Sequence, residues 1–223
     1  IFLLVYIILA LTFGYTLIMA ETSLGRMTRK SPVGAFESFG NSRFISIGGW
    51  INAIIPILIV PYYSVIGGWV IKYLIEYFAG HSKTLAGDAY FTTFISNGWS
   101  TEICFIIFTL FTLGIIYAGV RNGIERVSRF MMPILIVLSL IIAVYSVTRP
   151  GAIEGVKYFL VPNFDHFSWM TVVSAMGQMF YSLSIAMGIL ITFGSYMKKD
   201  ISIEDSTRNV EVFDTAIAIM AGL

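Results

Sequence analysis

Residues 177–188 read Gly177-Gln178-Met179-Phe180-Tyr181-Ser182-Leu183-Ser184-Ile185-Ala186-Met187-Gly188, at the centre of a run, 166–197, that holds no Asp, Glu, Lys or Arg over 32 residues. A lipid core about 30 Å thick is crossed by about 20 helical residues. The run is therefore long for one straight span and predicts a tilted or an interrupted helix. Ser182 and Ser184 are two apart, so on a continuous helix their hydroxyls face different directions. If the helix breaks between them and Gly188, Ser184 and the freed backbone groups converge on a ligand, as at broken membrane helices where half-helix N-termini meet anions and unwound carbonyls meet sodium. The alternative is a long tilted helix whose serines bond back to their own backbone.

The rest of the chain has the same character. Hydrophobic residues make up 57% and charged residues 12% of the 223, with mean hydropathy +0.83. Soluble domains carry roughly twice that share of charge. An integral membrane protein is expected, and a soluble enzyme, a disordered chain and a nucleic-acid binder are not. Further uncharged runs cover 1–20, 44–71, 103–120 and 130–148, and a last apolar segment starts near Asn209. They predict one transmembrane domain, with helices near 1–24, 44–78, 102–120, 129–148, 168–197 and 209–223. Transmembrane strands are not expected, because nothing alternates over ten-residue units. The chain opens and stops inside apolar runs, which reads as a piece of a longer multi-pass protein of the cell (plasma or inner) membrane. If the first helix runs from outside to inside, ten of the 14 Lys and Arg fall on the inner side, including Arg26, Arg29, Arg121 and Lys198, and four on the outer, Lys72, Lys83, Arg149 and Lys157. That asymmetry favours this orientation. One cysteine, Cys104, leaves no internal disulfide and no Cys-based zinc site. There is no HExxH, GxSxG or P-loop, His81 and His166 fall in outer loops, and no enzyme is expected.

Three polar features stand out. Glu21, in Ala20-Glu21-Thr22-Ser23-Leu24-Gly25-Arg26, ends the first span. It is either a boundary charge snorkelling to the interface or a buried acceptor for backbone N–H groups of a broken neighbour, since a carboxylate at depth faces protein or water. Asp214, near Glu211, is either a solvated helix start or a cation or proton site. In Pro61-Tyr62-Tyr63, Ile59, Tyr63 and Ile66 are spaced i, i+4, i+7 and share one face. The Tyr63 phenol then meets either a backbone carbonyl or a ligand.

These stretches, with Asn122-Gly123-Ile124-Glu125-Arg126, resemble the neurotransmitter:sodium symporter family, its bacterial amino-acid transporters above all. The resemblance runs from Ile1 to Leu223 and covers family helices two to early seven. It implies an all-α polytopic fold of the LeuT-type inverted-repeat kind, present in part. It implies a sodium-coupled symporter for amino acids or related small amines, working by alternating access, with sodium as coupling ion and no other cofactor. Tyr63 matches the tyrosine that meets the substrate carboxylate, and Ile59 and Ile66 the pocket wall. Tyr181 matches the aromatic lid, Ser182 a sodium ligand, and Ser184 and Met187 pocket positions. Gln178 matches an outer gate, Ser195 and Tyr196 an inner gate, and Glu21 the brace of the unwound backbone. Ala186 stands where the family usually has glycine, which predicts a tighter break, and Met187 where an aromatic is common. Asp214 stands where chloride-dependent members carry asparagine, which makes it a sodium-site residue whose fixed charge replaces chloride. The lipid bilayer, sodium and an amino acid are the expected partners. A proton-coupled carrier of the same architecture and a non-transport helical bundle are the competing readings.

Overall fold

The first apolar run folds as one helical rod, Phe2–Thr28, with a defect inside it. In the computed structural model, α1 (Phe2–Leu9) passes through a π turn, Ala10–Gly14, into α2 (Tyr15–Thr28). A π turn inserts one residue into the helical repeat, so the faces of α2 are re-phased against those of α1. The structure describes residues 1–223 except 41, 88, 165 and 166, with Arg121 described by its backbone alone. His166 therefore lies outside the described residues, as does the Arg121 side chain.

After α2 come α3 (Pro32–Glu37), capped by the Ser31 hydroxyl, and α4 (Arg43–Phe78), 36 residues without interruption. The stretch 79–101 contains α5 (Ser82–Leu85) and α6 (Tyr90–Ser96). Asn97 caps α7 (Gly98–Tyr117) through Ser100 N–H. A second π turn, Val120–Glu125, leads into α8 (Arg126–Val147), and α9 (Ala152–Leu160) follows. The long uncharged run gives α10 (Trp169–Ser182) and α11 (Ile189–Tyr196), and the chain closes with α12 (Ile203–Gly222). No strand occurs among the described residues. Among the described residues, four helices are long and apolar enough to cross a membrane: Phe2–Thr28, Arg43–Phe78, Gly98–Tyr117 and Asn122–Val147. At 1.5 Å per residue α4 reaches about 54 Å, beyond the thickness of a lipid core.

The chain forms two units, Ile1–Pro56 with Ile134–Leu223, and Ile57–Pro133. Both boundaries fall at a proline inside a helix, where the missing N–H removes one rung of the ladder.

In the first unit α1 packs along α10, α2 along α11, and α12 against α2 and the first π turn. Its core is Tyr6, Ala10, Ile18, Ala175, Met179, Leu183 and Ile185. The tightest approach is backbone on backbone: a Cβ on Gly25 would meet Ile191, and one on Gly194 would meet Thr22. Lipid gives helices no hydrophobic reason to associate, so small residues that let backbones touch carry the packing. In the second unit Gly68 plays that part, with a Cβ there only 2.8 Å from the Phe105 nitrogen. Glu76 is bonded there by Lys72 Nζ and His81 Nδ1, each at 2.7 Å.

α12 starts six residues earlier than the charge pattern suggests. The Ser202 hydroxyl accepts from Asp205 N–H at 3.2 Å, and Glu204 and Asp205 occupy the first turn. Both favour a helix N-terminus, so charge here marks a start, not a boundary.

Candidate functional site

The long uncharged run is broken where the serines sit. α10 ends at Ser182, α11 begins at Ile189, and three residues between them have left-handed backbone: Ser184 (φ 54°), Ala186 (φ 60°) and Gly188 (φ 67°). Ile185 N–H donates to Phe180 O at 3.0 Å and Ser184 N–H to Tyr181 O at 3.3 Å. These are the paired bonds of a Schellman cap, with serine at the position glycine usually takes. A left-handed conformation is unfavourable for a residue with a Cβ by about 1–2 kcal/mol. Two such residues persist only where their surroundings hold them. The reading as one long tilted helix is thereby excluded. Ala186 holds a left-handed backbone that glycine adopts far more readily.

Glu21 supplies one hold. Its Oε1 accepts from Ala186 N–H at 2.7 Å. This contact, made by a half-buried side chain, is the one the acceptor reading expects. Its Oε2 is buried and meets no donor among the described residues. Gly188 supplies a second hold, since a Cβ on it would lie 2.8 Å from Pro32 Cγ and 3.0 Å from Asn52 O.

Ser182, the last residue of α10, donates its hydroxyl to Asp214 Oδ2 at 2.7 Å. Asp214 lies eleven residues into α12, so it is not a solvated helix start. The Tyr6 phenol, from α1, faces Ser182, Asp214 and Thr215, yet closes no well-formed hydrogen bond. A phenol, a hydroxyl and a carboxylate from three helices therefore converge beside the break. Two helix ends meet there as well. The carbonyl end of α10 is electronegative and the N–H end of α11 electropositive. Such a place suits a cation and an anion side by side.

Other expected residues are spread along the same elements. Gln178 is exposed on α10 and Tyr181 is partly exposed in its last turn. Met187 lines a cleft with Pro32, Asn52, Pro56, Thr192 and Phe193. Ser195 and Tyr196 end α11; the Ser195 hydroxyl bonds Thr192 O at 2.6 Å, and its carbonyl accepts from Arg29 Nη1 at 3.2 Å. Arg26 bonds the carbonyls of Ile201 and Lys199, tying the end of α2 to the segment after α11. In the second unit Ile59, Tyr63 and Ile66 occupy one face of α4, and the Tyr62 and Tyr63 rings lie 5.0 Å apart. Sequence reasoning missed Tyr6, whose one signal was a phenol in the apolar run Phe2–Leu9, and it missed the two arginine ties.

Comparison with known proteins places these features in context. Residues 91–223 match the model of the sodium:neurotransmitter symporter family. The sodium-dependent transporter YhdH of Bacillus subtilis, itself uncharacterized, is 31% identical over 225 residues, covering 100% of this chain and 50% of that protein. The human sodium- and chloride-dependent transporter XTRP3 is 24% identical over 259 residues, covering 100% of this chain and 42% of that protein. The crystal structure of MhsT in complex with L-phenylalanine matches with a TM-score of 0.91 at 34% identity, over 99% of this chain and 51% of that one. The chain thus spans about half the length of the relatives it matches.

Proposed function

Because the chain belongs to the sodium:neurotransmitter symporter family, we propose that the complete protein is a sodium-coupled amino-acid symporter of the cell membrane that works by alternating access. The observation that carries this reading is the break between Ser182 and Ile189, braced by Glu21 and flanked by the Ser182–Asp214 pair. In this reading sodium sits beside Ser182 and Asp214, while the unwound backbone and Ser184 receive the substrate. In the first unit Met187 shapes the pocket and Tyr181 closes over it; in the second, Tyr63, with Ile59 and Ile66 on its face of α4, is by family resemblance the contact for a substrate carboxylate. Gln178 belongs to an outer gate, and Ser195 and Tyr196 to an inner one. An amino acid is the substrate class because MhsT, at 34% identity, was solved with L-phenylalanine. The driving force is adequate: one charge moved through 100 mV releases about 2.3 kcal/mol, roughly a fiftyfold concentration ratio, before any sodium gradient is added.

Chloride is not required in this reading. The Asp214 carboxylate holds a fixed negative charge where chloride-dependent relatives carry asparagine. Uptake of radiolabelled amino acids, L-phenylalanine first, into liposomes holding the complete protein tests both points. Uptake should need an inward sodium gradient and should be unchanged when gluconate replaces chloride. Asp214→Asn should make it chloride-dependent or abolish it. Uptake driven by a pH gradient without sodium would move the protein to the proton-coupled reading. A wild type that needs chloride, or an Asn variant that behaves as wild type, removes the role given to Asp214.

A further inference from the structure

α12 carries three side-chain oxygens on one stripe that no described residue bonds. Thr207, Glu211 and Thr215 are spaced i, i+4, i+8. Thr207 Oγ1, Glu211 Oε1 and Thr215 Oγ1 are all buried without a hydrogen-bond partner among the described residues. Thr207 is 2% exposed and Glu211 is 3% exposed. Elements of this chain therefore already close both residues off, and little space is left for a further side chain to reach them. Several helical threonines bond back four residues, Thr12 to Ile8 O, Thr16 to Thr12 O and Thr192 to Gly188 O, though Thr109 Oγ1 on α7 is also buried without a partner among the described residues. Thr207 and Thr215 do not bond back, so their hydroxyls are left for another partner. An unpaired buried hydroxyl is unfavourable, and an unpaired buried carboxylate more so.

Among the described residues no cation pairs with Glu211. The π turn packed against α12 holds no titratable side chain. On α2, Glu21 is engaged by Ala186 N–H, Arg26 by carbonyls beyond α11, and Tyr15 makes no bond to Glu211. Tyr6 of α1 faces Asp214 and Thr215 without closing a well-formed hydrogen bond, and Asp214 is bonded by Ser182 of α10, whose one titratable group is Tyr181. α9, with Glu154, Lys157 and Tyr158, meets α12 at its far end, where Phe159 touches Gly222. On α12 itself Arg208 pairs with Asp205 at 3.0 Å, and Glu204 lies in the first turn.

The stripe suits water and protons better than a metal ion. Hard cations such as calcium and magnesium gather about six oxygens from several directions. Here three oxygens come from one helix, and no group of His, Cys, Asp and Glu fit for a metal occurs among the described residues. Successive members are about 6 Å apart along the axis. One water bonded to both at 2.7–2.8 Å reaches only about 4.5 Å at its bent angle, so two waters in line between neighbours fit that step. We propose that Thr207, Glu211 and Thr215 form a hydrated proton site entered from the Ser202 end of α12, with Glu211 as the group that takes up and releases the proton. Uptake forms one O–H bond on the carboxylate and removes one negative charge. Release returns the proton to water at the Ser202 end, which the charge asymmetry assigns to the cytoplasm.

The site rests on the transporter reading only for its place in a cycle, so the test follows the proton itself. In pH-difference infrared spectra of the purified complete protein, wild type should show a protonated-carboxyl band that is lost in Glu211→Gln. Binding of radioactive sodium, measured in parallel, should change less than twofold. Should the Gln variant not fold, Glu211→Asp should keep the band at a shifted frequency. Thr207→Val should slow the appearance of the band after a pH jump about tenfold with its midpoint unmoved. A band that survives Glu211→Gln, a wild type with no such band, an Asp variant with an unshifted band, or an unaltered rate in Thr207→Val overturns the proposal. Loss of sodium binding in wild type with the band intact refutes the symporter reading and leaves the proton site standing.

Discussion

Glu21 replaces a hydrogen bond that the broken helix cannot make for itself. Ala186 N–H has no carbonyl four residues back to reach, and the carboxylate takes it at 2.7 Å. A hydrogen bond to a charged group contributes about 1.5–3 kcal/mol, which converts to roughly tenfold to more than a hundredfold in an equilibrium constant. The left-handed backbone at Ser184 and Ala186 depends on that bond, and the proposed substrate contacts depend on the backbone. Glu21→Ala in the complete protein should therefore weaken amino-acid binding at saturating sodium at least tenfold. Glu21→Gln keeps an accepting oxygen and should lose clearly less. Equilibrium binding of labelled L-phenylalanine reads both variants. Equal losses, or none in the alanine variant, would show that the brace does not act through its acceptor oxygen.

Between elements, the seam of α2 with α11 rests on the absence of two side chains. A Cβ at Gly194 would run into the Thr22 backbone, and one at Gly25 into Ile191. Backbone cannot rotate aside as a side chain does. Gly194→Ala should destabilise the protein by about 1–3 kcal/mol, the range for overpacked interiors, and Gly25→Ala similarly. The melting midpoint in detergent, followed by fluorescence-detected size exclusion, should fall in both, whereas Gly155→Ala, with open space around it, should leave the midpoint within a degree or two. An unmoved midpoint in Gly194→Ala means the helices part more easily than their contact implies. The break in this seam was legible beforehand, because a 32-residue run without charge is too long for a span and has small residues and serines at its centre. The roles of Glu21 and Asp214 were legible only as two readings each. The readings differ in what each carboxylate meets in the fold, a donor on another helix or solvent, and a single sequence does not contain its neighbours. The π turn at Ala10–Gly14 left no trace in the pattern, since the run is apolar on every side and has no face to shift. Thr207 lay ahead of the segment expected to start near Asn209, Glu211 was read only as a neighbour of Asp214, and tertiary packing buries both.

The whole chain has one orientation to be tested. Ten Lys and Arg gather on the side assigned to the cytoplasm against four on the other. Cys104 is buried, so a cysteine placed elsewhere can be labelled against a quiet background. A membrane-impermeant maleimide added to intact cells should modify Lys83→Cys, and should reach Lys198→Cys only after the membrane is opened. The reverse pattern inverts the topology. The bond between Glu21 and Ala186 joins residues 165 positions apart in the chain, and that separation sets an order of manufacture. At roughly 5–20 residues per second of synthesis, Glu21 leaves the ribosome about ten to thirty seconds before its partner exists. During that interval a lone carboxylate is tolerated only at the cytoplasmic edge of the bilayer. α10 and α11 then arrive as rods of 14 and 8 residues, each too short to cross lipid alone, with exposed peptide groups between them. They can settle only against a helix already waiting with an acceptor. The boundary charge and the buried brace are thus the same residue at two ages of the polypeptide.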